Sequence, residues 1–230
     1  MDLVLPAPAP TVVPVVGGGG FPVHRVYCVG RNYAEHAQEM GHTGREPPFF
    51  FLKPADTVVP VADGQTGEID YPTLTGNFHH EIELVVAIGK GGAGIRAADA
   101  PGHIYGYAIG LDMTRRDLQN DMKKQGRPWC IGKAFEQSAP IGPIHPIART
   151  GELTRGPIAL GVDGVPRQKG DLADLIWNVA ETIEHLSAAW VLQPGDLIYT
   201  GTPAGVGAVT RGQTMEGSVA GLGTLRVRVR

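Results

Sequence analysis

Cysteine is scarce in this 230-residue chain, which holds only Cys28 and Cys130. Two thiols without CxxC spacing exclude a disulfide framework, and a reducing cytoplasm fits best. A basic excess is also missing, with 20 Lys plus Arg against 23 Asp plus Glu. That balance removes the usual electrostatic argument for nucleic acid. No uninterrupted apolar run reaches the ~18 residues that mark a membrane span. The apolar start, Met1 to Gly20, has no positively charged leader, and Pro6, Pro8, Pro10 and Pro14 break any signal-peptide helix. Gly17-Gly18-Gly19-Gly20 lacks the lysine of a phosphate-binding loop and precedes no helical pattern, so it reads as a hinge or turn. No internal repeat and no mid-chain linker is visible. The expected organisation is an extension over residues 1–20 and a single domain over 21–230.

What the chain does have is glycine and proline, 33 and 19 residues, scattered between apolar runs. Its hydrophobic fraction of 42% supports a substantial core. Such spacing suits many short strands joined by turns. Strands are predicted at Val23–Val29, Phe49–Lys53, Glu81–Ile88, His103–Leu111, Ile158–Val162, Leu197–Thr200 and Leu225–Val229. Three segments read as helices. Asn32–Met40 is short and polar. Arg115–Lys124 follows Thr114, has Asp117 in a capping-box-like position, and ends with Lys123 and Lys124 where cations favour the dipole. Asp171–Trp190 carries Leu175, Ile176, Val179, Ile183 and Leu186 at helical spacing, a face for packing on a sheet. The fold class is therefore α+β and strand-rich.

The most informative stretch is His79-His80-Glu81-Ile82-Glu83-Leu84-Val85-Val86. Side chains alternate along a strand, so Glu81 and Glu83 share a face. Burying two neighbouring carboxylates is costly without a compensating cation. A third acid, Asp112, closes the apolar run Ile104–Leu111 just before a helix, and loops after strands are where folds place chemistry. Three hard oxygen ligands suit Mg²⁺ or Mn²⁺. Two other readings stay open on spacing alone. Glu-x-Glu is also the ordinary solvated face of an antiparallel sheet, and His79 with His80 would suit zinc.

Several blocks occur in one order along residues 25–230: Val29-Gly30-Arg31-Asn32-Tyr33 with His36 and Glu39; Phe51-Leu52-Lys53-Pro54; His79-His80-Glu81-Ile82-Glu83-Leu84; Leu111-Asp112-Met113-Thr114 with Arg116-Asp117; Gly132-Lys133-Ala134-Phe135; and Tyr199-Thr200-Gly201-Thr202-Pro203 with Gly205-Val206-Gly207. In this the chain resembles the fumarylacetoacetate hydrolase family, and within it the members that hydrolyse fumarylpyruvate and other acylpyruvates. The resemblance implies a mixed β-sheet roll, a homodimer, and a divalent cation on Glu81, Glu83 and Asp112, with Mg²⁺ first and Mn²⁺ or Ca²⁺ as other occupants. It implies a small 2-oxo acid as substrate, cut at a carbon–carbon bond. His36 and Glu39, three residues apart, would share a helix face and activate water. Lys133 would meet the developing oxyanion and Lys53 the substrate; each lies in apolar surroundings where an unpaired ammonium is expensive. Thr202 and its backbone neighbours would hold the substrate carboxylate. Arg31 would do the same or grip a distal carboxylate through a bidentate pair, with Arg116 and Gln119 near the 2-oxo acid. Cys28, Cys130, Trp129, Trp177 and Trp190 read as packing residues.

Two competing readings follow. One keeps the metal and changes the reaction, to oxaloacetate decarboxylation or isomerisation of a hydroxymuconate-type diacid. The other is a non-catalytic metal-binding member.

Overall fold

Ile82-Glu83-Leu84-Val85-Val86-Ala87-Ile88 is apolar at six of its seven positions, the composition of a strand covered on both faces. In the computed structural model, which describes residues 3–33 and 45–230, it is the middle of the largest sheet. The strand order there is Phe49–Lys53, Val26–Gly30, Leu197–Tyr199, Ile82–Ile88, Ile104–Leu111, Ala139–Ile141, Val58–Pro60, with His145–Pro146 added beside Ile104–Leu111. Pairing is mixed. Leu197–Tyr199 runs parallel to Val26–Gly30, and Ala139–Ile141 to Val58–Pro60, while the central pairs are antiparallel.

Alternation sends the two halves of the central strand into separate cores. Ile82, Leu84, Val86 and Ile88 join Ile158, Leu160, Met215 and Val227 of a second, five-stranded mixed sheet. Val85 and Ala87 join Cys28, Tyr199 and Ala139 on the other side. Glu83 shares the parity of Val85 and Ala87 and is 1% exposed, so its charge is driven into this second face. The strand-rich, curled mixed sheet is the architecture expected from the sequence.

Several boundaries differ from expectation. The strand begins at Ile82, not Glu81, because the chain changes sheets there: Phe78–His80 pairs with Thr114–Arg115 and Gly207–Ala208 in a small third sheet. The helix expected over Asp171–Trp190 splits in three. Asp171 ends the strand Val165–Asp171, a 3-10 turn covers Leu172–Asp174, and the α-helix is Val179–Ala189. Asn178 starts it through a reciprocal capping box with Glu181. Arg116–Lys124 is helical as expected, but Thr114 does not cap it: its hydroxyl donates to Asp112 O at 3.1 Å. Asp117 instead accepts from Thr75 Oγ1 at 2.5 Å and Gly76 N at 3.0 Å. The expected helix Asn32–Met40 lies mostly outside the described residues. Asn32 itself is an extended tie, bonding Trp177 N, Trp177 O and Thr200 O through its side chain.

Gly17–Gly19, all with positive φ, turn the hairpin Val12–Pro14/Gly20–Pro22, whose Val13 and Phe21 enter the second core. No helix among the described residues is long and apolar enough to cross a membrane.

Candidate active site

Two neighbouring strands leave the large sheet at the same level. Ile82 pairs with Leu111, and one residue beyond each lie Glu81 and Asp112, with Asp112 N donating to Glu81 O at 2.8 Å. Both chains then continue into the small third sheet. This shared corner brings Glu81 and Asp112 beside Glu83, and one carboxylate oxygen from each lies within 4.8 Å of the others. All three residues are buried.

Cations surround two of the three acids. Lys133 Nζ bridges Glu81 Oε2 at 2.8 Å and Asp112 Oδ2 at 2.7 Å. Lys53 Nζ lies 2.9 Å from Asp112 Oδ1, and Arg116 Nη2 donates to Glu81 Oε1. Glu83 has no cation in contact among the described residues; its Oε2 accepts from Gly201 N at 2.8 Å. Burial first, then the Asp112 and Glu81 charges, push the Glu83 carboxyl well above the ordinary range. A buried acid flanked by two carboxylates and lacking its own cation is the environment a divalent ion relieves. The residues fit such an ion.

Lys133 remains protonated. Burial pulls its pKa down, but Asp112 and Glu81 outweigh that and leave it raised. Lys53 was expected at the substrate. The structure instead gives its ammonium three protein oxygens, Asp112 Oδ1, Met113 O at 3.2 Å and Lys133 O. It braces the acid cluster from behind and does not line the pocket. Arg116 is similarly committed: Nη1 donates to Gln119 Oε1 at 2.6 Å and Nε to His79 Nδ1 at 3.3 Å. Those bonds fix Gln119, whose Oε1 is occupied and whose amide hydrogens have no described acceptor. The two histidines do not join the acids. His79 Nε2 meets Asn77 Oδ1 at 2.8 Å, and His80 Nδ1 meets Gln168 Oε1 at 2.8 Å. Burial, then Arg116, hold the His79 imidazole down to about 4, which keeps Nδ1 an acceptor. The zinc alternative therefore loses its ligands.

Thr202 is reached from below. Its hydroxyl donates to Ile82 O at 2.8 Å and accepts from Gln168 Nε2 at 2.8 Å, so its hydrogen is spent. What it leaves for the pocket is its backbone N–H, which no described residue takes up. Gly201 makes this loop possible. Its φ is +103°, and a Cβ there would sit 2.7 Å from the Asn32 Cβ. Gln168, 2% exposed, was not singled out in the sequence, nor was Trp129 as a pocket residue. The pocket brings together Arg31, Glu81, Glu83, Asp112, Arg116, Gln119, Lys133 and Thr202, with Phe51 and Trp129 as its apolar wall. His36 and Glu39 lie outside the described residues.

This geometry defines a buried carboxylate site for a divalent cation, ringed by fixed donors. Residues 25–230 match the fumarylacetoacetate (FAA) hydrolase C-terminal family. The chain belongs to that family. It is similar to the fumarylpyruvate hydrolase of Pseudomonas aeruginosa crystallised with Mn²⁺ and pyruvate, at 58% identity and a TM-score of 0.97 over 99% of both chains. A fumarylpyruvate hydrolase from a Ralstonia species is 46% identical over 80% of this chain and 93% of the relative. A mitochondrial oxaloacetate decarboxylase of Dictyostelium discoideum is 39% identical over 87% of this chain and 90% of the relative.

Proposed function

We propose that this protein is a divalent-metal-dependent hydrolase that cleaves fumarylpyruvate, or a closely similar acylpyruvate, to a carboxylic acid and pyruvate. The observation that carries the reading is the triad of buried carboxylates, with Glu83 lacking a cation among the described residues, facing a set of fixed donors. Mg²⁺ or Mn²⁺ would be held by Glu81, Glu83 and Asp112. When bound, the ion supplies Lewis-acid stabilisation of negative charge on the 2-oxo oxygen. Formal charge supports a polyanionic ligand. The three acids are matched by Lys53, Lys133 and Arg116, and Arg31 adds a further positive charge to the pocket, so a doubly charged ion leaves three positive charges for an anionic ligand to offset.

Cleavage adds water to the second carbonyl, breaks the bond to the methylene carbon, and leaves pyruvate as its enolate, which takes a proton. The chain's part is largely preorganised electrostatics. The Thr202 amide and the Gln119 side-chain N–H groups hold the carboxylate end of the 2-oxo acid. Lys133 presents a full positive charge to the oxygen where charge develops. Lys53 keeps Asp112 oriented, and Arg116 keeps Glu81 and Gln119 oriented. Water activation is assigned to His36 and Glu39 as an expectation from the family. A homodimer belongs to the same expectation, and a cytoplasmic location to the one drawn from the two cysteines; molar mass by light scattering checks the pairing.

The Dictyostelium relative favours a second reading, oxaloacetate decarboxylation, on the same triad. A panel of fumarylpyruvate, acetylpyruvate and oxaloacetate with Mg²⁺ or Mn²⁺, following enol absorbance and pyruvate release, separates the two. Faster pyruvate release from an acylpyruvate supports hydrolysis, whereas turnover of oxaloacetate alone replaces it. His36→Ala is expected to abolish acylpyruvate cleavage while sparing decarboxylation.

A further inference from the structure

Arg31 stands apart from the other cations of the pocket. Its backbone is in the left-handed region, at φ 58°, although it is not glycine. Its guanidinium carbon lies 5.4 Å from the Phe49 ring centre and 5.9 Å from that of Trp129. The two rings meet edge to face at 5.2 Å, so they form one corner against which the guanidinium is held. Gly30 permits this: Phe49 lies opposite it in the strand pair and curls across the backbone, where a Cβ would come within 2.0 Å of the ring. Arg31 Nε is buried without a hydrogen-bond partner, and no described carboxylate pairs with the group. A cation held by ring faces keeps its N–H edge unspent, and the apolar walls strengthen its attraction for an anion. The same pocket wall carries Trp129 and Arg31 next to the acid triad.

We infer that Trp129 is a specificity-determining residue: with Phe49 it fixes the Arg31 guanidinium so that it receives a carboxylate at the far end of the acyl group. This rests on the acylpyruvate reading and narrows it to acyl groups ending in a carboxylate, with the flat, conjugated part of the chain against the Trp129 ring. Trp129 has a second tie to the site, because its carbonyl accepts from Lys133 N at 3.0 Å and Gly132 N at 2.8 Å, starting the turn that carries Lys133. The acyl-end clamp and the oxyanion donor are therefore joined through one residue.

The test compares fumarylpyruvate with acetylpyruvate, which lacks the terminal carboxylate. Arg31→Met is expected to lower kcat/KM for fumarylpyruvate by about 10–100-fold more than for acetylpyruvate, the effect of losing a charge-assisted hydrogen bond. Trp129→Leu moves the ratio the same way, and Trp129→Phe restores part of it. Equal losses on both substrates would overturn the inference. Calorimetric binding to the Mn²⁺-loaded protein reads the same subsite without turnover, using fumarate against crotonate, which has a methyl group in place of one carboxylate. Wild type is expected to prefer fumarate and Arg31→Met to lose the preference; equal wild-type binding of both overturns the clamp. A preserved fumarate preference with no cleavage of either acylpyruvate would instead overturn the hydrolase reading alone.

Discussion

Gln168 Nε2 donates to Thr202 Oγ1 at 2.8 Å, and the same amide reaches Pro203 O at 2.9 Å. Its other end accepts from Ile82 N at 3.1 Å and from His80 Nδ1 at 2.8 Å. One buried side chain on the second sheet thus ties the Thr202 loop to the start of the central strand.

Replacing Gln168 with Leu strips these four partners at once and leaves the Thr202 hydroxyl held by Ile82 O alone. The expected result is a KM for the 2-oxo acid raised about tenfold or more, one hydrogen bond's worth of binding, with a smaller change in kcat. Steady-state kinetics checks it. A fall in kcat at constant KM would place Gln168 in the chemistry instead of the carboxylate grip.

Lys133 sits on two of the oxygens that a divalent ion would use. Lys133→Met is therefore expected to act in opposite directions on binding and on turnover. Removing the competing charge tightens Mn²⁺ binding, while losing the donor slows cleavage by about 10²–10³-fold, the usual scale for an oxyanion donor. Metal titration and single-turnover rates read the two effects separately. Weaker Mn²⁺ binding in the variant would contradict the arrangement.

Much of the site was legible because its acids sit at strand ends. Asp112 follows eight strand residues and Glu83 stands alone among apolar neighbours, so a buried charge could be read from the pattern. Gln168 could not. It lies in the polar strand Val165–Asp171, and its partners His80, Ile82 and Thr202 are 88, 86 and 34 residues away. Trp129 was read as packing because ring contacts with Phe49 and Phe51 depend on a remote strand. The helix over Asp171–Trp190 failed for a different reason. Leu175 is buried in an irregular approach segment and mimics helical spacing, whereas the real start was marked locally by Asn178 with Glu181 three residues on.

That start gives a stability prediction. Asn178 Oδ1 accepts from Glu181 N at 3.0 Å, and Glu181 Oε2 accepts in return from Asn178 N at 3.1 Å. Asn178→Ala is expected to cost about 1 kcal/mol of unfolding free energy, the typical worth of an N-cap. Urea denaturation measures it, and metal binding should be unaffected.

His145 supplies a pH dependence away from the acids. Burial lowers its pKa from 6.5, against partial opposition from Asp63 and from the hydrogen bond it donates to the Leu222 backbone carbonyl, with Arg149 adding to the lowering. The unfolded chain then takes up the proton first, so stability is full above pH 6.5 and declines as the pH falls below it. His145→Gln is expected to flatten that part of the stability profile in urea titrations. An unchanged slope would mean that other groups set it.

The central claim is that Glu81, Glu83 and Asp112 together capture a divalent ion. Calorimetric titration of metal-free protein with Mn²⁺, run beside Glu83→Gln and Asp112→Asn, tests it most directly. One ion per chain in the wild type, lost or greatly weakened in both variants while their circular dichroism spectra stay native, is the predicted result. Undiminished Mn²⁺ binding in both folded variants would contradict it.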